Sequence, residues 1–175
     1  QPVLRLRENS HPTPRRSYPS QMIEYIKDCH GFKDEDITIL MDDGDHTEPT
    51  AENIMAAYRR LAEETQPGDA VFCHYSGHGC SIRDDDWKEE EDGMDEALCP
   101  IDFQQAGMLR DDDVFATLVA PLPKDVLLTC IMDCCHSGTI LDLPYTFLAD
   151  GQQEEMEVDP EFDFGPYLDM VQGFA

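Results

Sequence analysis

Two stretches of the chain carry residue types that can act together in nucleophilic catalysis. One is Asp133-Cys134-Cys135-His136-Ser137-Gly138, and the other is Ser76-Gly77-His78-Gly79. A cysteine thiolate is a nucleophile, and a neighbouring imidazole can take its proton and later protonate a leaving amine. Glycines beside both groups let a substrate backbone come close. Cys135 and His78 therefore predict a cysteine–histidine nucleophilic site.

Each of these stretches follows an apolar run of strand length. Residues 126–132 (VLLTCIM) precede Asp133, and residues 70–75 (AVFCHY) precede Ser76. Such runs are typical of strands buried on both faces of a parallel sheet. Open α/β sheets bind their ligands at the carboxyl ends of such strands. We therefore expect both reactive groups at the same edge of one sheet.

The elements before and between these strands predict the fold class. A helix is expected from Ser20 to Gly31, a buried strand at residues 37–41, and a helix capped by Thr50. A further helix is expected at residues 111–120, and a short edge-like segment at 96–100. Alternating helices and strands predict a three-layer α/β domain, with a mostly parallel central sheet and helices on both faces.

Composition bounds the domain organisation and the partners. The 175 residues suit one domain, which we place at residues 20–150, between an irregular segment (1–19) and an acidic tail or the start of a further region (151–175). The 38 acidic and 12 basic residues give a net charge of −26, which disfavours nucleic-acid binding and favours basic peptides and divalent cations.

The cysteines and the hydropathy of the chain indicate the cellular compartment of the protein. Seven cysteines in no framework spacing predict free thiols and a cytoplasmic or nuclear setting. No apolar run approaches the length of a membrane span, so no membrane association is expected. The chain opens on Gln1 instead of a methionine, which suggests a fragment of a longer protein.

Metal binding is another use for cysteines and histidines. The candidate zinc ligands are His74, His78, Cys80, Cys134, Cys135 and His136. Paired C-x-x-C knuckles, which are typical of structural zinc sites, are absent from the sequence. A zinc-binding interaction module is therefore kept as a less favoured alternative, and Cys73, Cys99 and Cys130 are interpreted as ordinary core residues.

Several motifs together resemble one family. YSGHG at residues 75–79 and DCCHSG at residues 133–138 resemble the catalytic pair of the metacaspases, which are caspase-like cysteine peptidases. Residues 92–96 (DGMDE), 100–103 (PIDF) and 139–145 (TILDLPY) resemble that family too. The resemblance covers residues 22–145, the large-subunit half. It implies a caspase-like sandwich that is completed by a small-subunit half, located either after this segment or before it.

The resemblance also assigns roles to individual residues. Cys135 matches the family nucleophile and His78 the general base, while Cys134 matches a variable position. The family cleaves after arginine or lysine, and Asp133 and Ser76 match members of the pocket that binds that side chain. A carboxylate facing a guanidinium or ammonium group is physically reasonable there. Asp133 could instead only bond loop amides, and that alternative is kept open.

Calcium activation is a further implication of the resemblance. The aspartates that match the family's calcium site are Asp95, Asp111, Asp112 and Asp142. Calcium prefers six to eight oxygen ligands, some of them from water and carbonyl groups. A solvated acidic loop without bound calcium is the alternative.

The sequence departs from the family near its N-terminus. Arg15 and Tyr18 align with a cysteine and an aspartate that help to line the specificity pocket in the family. The changed pocket and the missing small-subunit half motivate an alternative function. In that alternative the protein keeps the fold and the catalytic pair but acts by association instead of catalysis.

Overall fold

A computed structural model of the chain describes residues 3–7, 18–83, 94–135, 140–141, 143–147 and 156–158, with the backbone alone at 3–7, 18–19, 83, 94 and 146. The elements in chain order are β1 (Val3–Arg7), α1 (Tyr18–His30), a 3₁₀ turn (Asp34–Asp36), β2 (Ile37–Ile39), α2 (Ala51–Glu64), β3 (Ala70–Ser76), β4 (His78–Arg83), β5 (Met94–Cys99), α3 (Phe103–Ala106), β6 (Leu109–Arg110), α4 (Asp111–Val114), a π-helical turn (Phe115–Val119), β7 (Leu127–Asp133), β8 (Tyr145–Thr146) and β9 (Glu157–Val158).

The main sheet has four parallel strands in the order β2-β1-β3-β7. Along β3 and β7 the pairing runs from Ala70 opposite Leu127 to Ser76 opposite Asp133. The two strands that precede the candidate catalytic stretches are therefore direct neighbours. The predicted α/β class with a parallel sheet is confirmed.

Helices cover both faces of this sheet. Alternate residues of β3 point to opposite sides, as the pleat requires. Val71, Cys73 and Tyr75 pack in one core cluster with α2, whereas Phe72 packs in a second cluster with Ile26 of α1. The two helices therefore lie on opposite sides of β3, and the predicted three-layer arrangement is confirmed.

The best-predicted helix is α2. The hydroxyl of Thr50 accepts a hydrogen bond from the backbone N–H of Asn53, 3.2 Å away, and so caps the helix as expected. Its inward face consists of Ile54, Tyr58, Leu61 and Ala62, all buried. The other helix, α1, ends at His30, just before Gly31 with its φ of +74°, as predicted, but it begins at Tyr18 instead of Ser20.

The N-terminal segment differs from the prediction. Residues 1–19 were expected to be irregular, but Val3–Arg7 forms β1, which pairs with β2 on one side and with β3 on the other. The segment is short and carries two arginines, so its own pattern is weak. Its strand conformation depends on backbone pairing with two neighbours, which a local pattern does not reveal.

Two further expectations about strands were wrong. The run that forms β7 was expected to be buried on both faces, but β7 is the last strand of the main sheet in the described part of the chain, and Leu127 is 66% exposed. The segment at residues 96–100 was expected to be edge-like. Instead β5 is the middle strand of a three-stranded antiparallel sheet, β4-β5-β6, because β4 and β6 pair with it from both sides.

The remaining expectations are partly met. The strand at residues 37–41 is shorter than predicted, since β2 is half-buried and ends at Ile39, and Leu40 makes one bridge to Thr47. The helix at residues 111–120 is present as α4 followed by the π-helical turn. Apart from residues 156–158, which include β9, the predicted tail at 151–175 lies outside the described residues.

Candidate active site

The two candidate catalytic stretches meet at the carboxyl ends of β3 and β7. Ser76 and Asp133 are paired at the last position of the parallel ladder, and the backbone N–H of Gly77 lies 3.4 Å from the carbonyl oxygen of Asp133. His78 and Cys135 each follow two residues later along the chain. The predicted placement of both stretches at one edge of the sheet is therefore present in the structure.

A direct backbone contact joins the histidine and cysteine segments. A Cβ atom placed on Gly79 would lie 2.0 Å from the carbonyl oxygen of Cys135 and 3.3 Å from the Sγ of Cys134. Only a residue without a side chain allows this approach. The backbone next to His78 is thus packed against the backbone of Cys135, and both His78 and Cys135 are exposed.

Tyr75 positions the beginning of β4. Its side chain is buried, and its hydroxyl lies 2.9 Å from the carbonyl oxygen of His78 and 3.2 Å from that of Cys99. These contacts tie the backbone of His78 to the strand opposite. Sequence reasoning did not single out Tyr75, because the carbonyl groups that it contacts are brought together only by the β4–β5 pairing.

The environments of the two adjacent cysteines differ. Cys134 is half-buried, and this burial, together with the nearby acidic groups of Glu96, Cys135 and Asp133, raises the pKa of Cys134 to about 11. Its thiol is therefore protonated at neutral pH and is a poor nucleophile. Cys135 is exposed instead. These properties favour Cys135 as the attacking residue.

Asp133 has a buried neighbour on the adjacent strand. Its side chain is 49% exposed, and its Oδ2 lies 3.5 Å from the Nε2 of His74, which is buried in β3. Asp133 thus has one side toward the protein and one toward solvent. His74 was considered only as a zinc ligand from the sequence. The position of this histidine in an otherwise apolar strand could have indicated from the sequence that His74 has a polar partner.

The predicted calcium ligands are only partly assembled in the structure. Asp95 in β5 and Asp111 at the start of α4 are both buried, and Asp112 beside them is exposed. Asp95 forms an ion pair with Arg110. One oxygen of Asp111 accepts a hydrogen bond from the backbone N–H of Glu96 (2.8 Å), and its other oxygen accepts one from the N–H of Asp112 (3.0 Å). Asp142 lies outside the described residues.

The donor chemistry of these carboxylates fits a hard cation. Burial raises the pKa of Asp111, although the backbone N–H donors act in the opposite direction. Each oxygen keeps a lone pair after accepting one hydrogen bond, so Asp111 can still coordinate calcium. Among the residues with described side chains, however, no group of three or more histidine, cysteine, aspartate or glutamate residues is arranged to hold a metal ion.

No helix in the described part of the chain is both long enough and apolar enough to cross a bilayer.

Comparison with known proteins shows which family this chain resembles. A family model described as metacaspase, peptidase C14 domain, matches residues 19–144. Metacaspase III c of Phaeodactylum tricornutum is 59% identical over 147 residues, which are 84% of this chain and 44% of that protein. Metacaspase-1 of Kluyveromyces lactis is 46% identical over 136 residues, 77% of this chain and 31% of that protein.

The similarity extends to a solved structure. A crystal structure of a Geobacter sulfurreducens protein superposes with a TM-score of 0.55 at 24% identity, covering 81% of this chain and 53% of that one. At this identity the match supports the fold alone. The chain spans less than half the length of the curated relatives that it matches.

Proposed function

Because this chain belongs to the metacaspase family of the C14 peptidases, as its motifs implied, we propose that it forms the catalytic half of a cysteine endopeptidase. The enzyme cleaves proteins after arginine or lysine, with Cys135 as nucleophile and His78 as general base. The observation that carries the proposal is the backbone contact between Gly79 and the carbonyl oxygen of Cys135, which holds the two catalytic segments together.

The proposed mechanism uses a thiol and an imidazole in turn. The imidazole of His78 takes the proton of the Cys135 thiol, and the thiolate attacks the scissile carbonyl carbon. The resulting imidazolium donates its proton to the leaving amine, and a thioester to Cys135 remains. Water then attacks the thioester, with His78 again accepting a proton, and the free thiol is restored.

Asp133 is the residue that we propose to select the basic side chain of the substrate. It is the last residue of β7, immediately before the two cysteines, and about half of its side chain faces solvent. Its contact with the buried His74 limits the orientations of the carboxylate. A charge-assisted hydrogen bond from arginine or lysine to such a group contributes about 1.5–3 kcal/mol. Ser76, paired with Asp133 at the end of the ladder, is proposed to line the same pocket.

Substrate selectivity tests this proposal. We expect the complete gene product to hydrolyse peptide amides that end in arginine or lysine and to leave those that end in aspartate uncut. The Asp133→Asn variant should lose about 10- to 100-fold in kcat/KM toward arginine substrates, since it loses a charge-assisted bond. The Asp45→Asn variant, which changes an exposed aspartate in a turn, should match the parent.

Two outcomes would contradict the selectivity proposal. Equal cleavage after arginine and aspartate would exclude Asp133 as the selecting group. Absence of turnover with every substrate, in a protein that calcium still stabilises, would instead favour the alternative of a family member that acts by association.

We further propose that the small-subunit half packs beside β7. Leu127, Thr129 and Asp133 are exposed although they belong to the strand that precedes the nucleophile. An edge strand with exposed apolar residues is a surface for pairing with another segment. The small-subunit half would extend the sheet there and complete the substrate cleft. We place the protein in the cytoplasm or nucleus, where its seven free thiols remain reduced.

Calcium is the cofactor that we propose, with Asp95, Asp111, Asp112 and Asp142 as ligands. When bound, calcium would supply positive charge to the two buried carboxylates, Asp95 of β5 and Asp111 of α4. Arg110 supplies positive charge to Asp95 in the structure, so bound calcium and the guanidinium would compete for that carboxylate. Arg110 therefore sets how tightly calcium binds.

Replacement of Arg110 tests the calcium proposal. Without calcium, the Arg110→Gln variant should be less stable by about 2 kcal/mol, since buried Asp95 loses its counter-ion while Arg110 itself is partly exposed. Its calcium affinity should rise about tenfold, because no guanidinium has to be displaced. Calorimetric titration and thermal unfolding with calcium, and with magnesium as a comparison, measure both quantities.

The matched control for this experiment is Arg60→Gln. Arg60 is paired with Glu64 on the exposed side of α2, so its removal should change neither stability nor calcium affinity appreciably. Calcium affinity that stays the same or falls in Arg110→Gln would count against a site that includes Asp95.

A further inference from the structure

Three sulfur atoms converge in the antiparallel sheet β4-β5-β6. The Sγ of Cys80 lies 3.5 Å from the Sγ of Cys99 and 2.8 Å from the Sδ of Met108. The thiol of Cys99 donates to the sulfur of Cys80, and the thiol of Cys80 donates to the thioether of Met108. All three residues are partly buried, so the cluster is sheltered but within reach of solvent.

Strand register explains why these side chains meet. His78 is opposite Cys99 and Cys80 is opposite Ala97, so Cys80 and Cys99 are diagonal neighbours on the same face. On the other side of β5, Leu109 is opposite Leu98, which brings Met108 next to Cys99. Ala97 has a small side chain, which leaves room for the Cys80 thiol.

We propose that Cys80, Cys99 and Met108 form a binding site for a soft monovalent metal ion of the copper(I) class. Thiolate and thioether ligands select copper(I) over hard cations. With metal–sulfur bonds of about 2.3 Å, the length for zinc–thiolate bonds, one ion can bridge sulfurs up to about 4.6 Å apart. The two separations in the structure are shorter than that limit, so the sulfurs would move apart on binding, to about 4 Å for three equal bonds in one plane.

A disulfide and a structural zinc site agree less well with the positions and chemistry of these three sulfur atoms. A disulfide needs sulfurs about 2.04 Å apart and gives Met108 no role. Diagonal positions of an antiparallel pair are about 7–8 Å apart at Cα, which is at or beyond the usual range for a disulfide. Structural zinc takes four ligands from cysteine, histidine and carboxylate side chains, and a thioether is not one of these.

Binding replaces two thiol protons by one metal ion. The S–H groups of Cys80 and Cys99 release their protons to solvent, both sulfurs become thiolates, and the thioether of Met108 donates a lone pair without losing a proton. The metal does not change its oxidation state. Two protons are therefore released for each copper(I) ion bound at neutral pH.

Anaerobic titration with copper(I), in competition with the chelator bathocuproine disulfonate, tests the site. The titration uses the complete gene product carrying Cys134→Ser and Cys135→Ser, which removes the adjacent pair of cysteines as a competitor. Met108→Leu, Cys80→Ser and Cys99→Ser are added one at a time, and Cys29→Ser, which removes an exposed thiol, is the matched control. Proton release and X-ray absorption are measured on the same samples.

We expect one tight copper(I) ion, about two protons released, and a first coordination shell made of sulfur alone. Each of the three variants should weaken copper(I) binding by about 100-fold or more, since mutation of residues that only support metal ligands already costs about 10- to 100-fold in affinity. The Cys29→Ser variant should keep the parent affinity. Met108→Leu keeps the side-chain volume and therefore the fold, so it remains decisive if a serine variant unfolds. Unchanged affinity in Met108→Leu, or nitrogen or oxygen in the first shell, would overturn the proposal.

Discussion

Replacing Cys135 by alanine should lower kcat by a factor on the order of 10⁶, the loss found when the nucleophile of a protease triad is removed. The physical reason is that no other described thiol combines exposure with a position just after β7, where the histidine segment makes contact. Cys134→Ser should keep activity within about threefold, because the Cys134 thiol is protonated at neutral pH and does not attack.

Alkylation provides an independent measurement of this difference. With iodoacetamide at pH 7.5, mass spectrometry should find Cys135 modified well before Cys134. Since burial raises the pKa of Cys134 to about 11, its modification rate should increase about tenfold for each pH unit up to that value. Retained turnover in Cys135→Ala together with loss in Cys134→Ser would reverse the assignment of the nucleophile.

Replacing Gly79 by alanine should have the second largest effect. The added methyl group would lie 2.0 Å from the carbonyl oxygen of Cys135, so the backbone of one segment has to move. Overpacking of this kind costs about 1–3 kcal/mol in stability. A displacement of about 1 Å between catalytic groups lowers the rate about 100-fold. We therefore expect kcat to fall about 100-fold in Gly79→Ala, even after correction for the folded fraction.

Gly44→Ala is the control that separates stability from positioning. Gly44 has open space around it but a φ of +82°, so alanine there costs about 1 kcal/mol of backbone strain, remote in sequence from the catalytic segments. Activity per folded molecule should be unchanged in Gly44→Ala. If Gly79→Ala kept full activity per folded molecule, the contact between Gly79 and Cys135 would have no role in catalysis.

The local sequence pattern was sufficient to predict the elements with a clear cap or a continuous apolar run. The Thr50 cap and the apolar face of α2 are determined by residues close together in the chain, and β3 is apolar along its whole length. The stretches that contain Cys135 and His78 could be placed at one edge of the sheet for the same reason, since each follows such a run. These are the parts of the fold that local chemistry determines.

The parts that were missed depend on partners distant in the chain. β4 (HGCSIR) has no clear alternation of polar and apolar residues, and it is a strand because β5 pairs with it. The contact between His74 and Asp133 and the hydroxyl contacts of Tyr75 likewise join residues on different strands. The sequence of a single segment does not predict contacts between residues on different strands. These contacts can be identified only when the pairing of the strands is known.

The central position of β1 has a consequence for how the chain folds. β1 precedes β2 and β3 in the chain, yet Val3 pairs with Ile37 on one side and with Phe72 on the other. During translation the centre of the main sheet therefore cannot form until β3 has left the ribosome. The chain segments between β1 and its two partners form long loops, and closing them costs entropy before the sheet provides its stabilisation. A nascent chain that ends before β3 has β1 and β2 but lacks the strand that pairs with the other edge of β1, and unpaired strand edges of this kind favour aggregation.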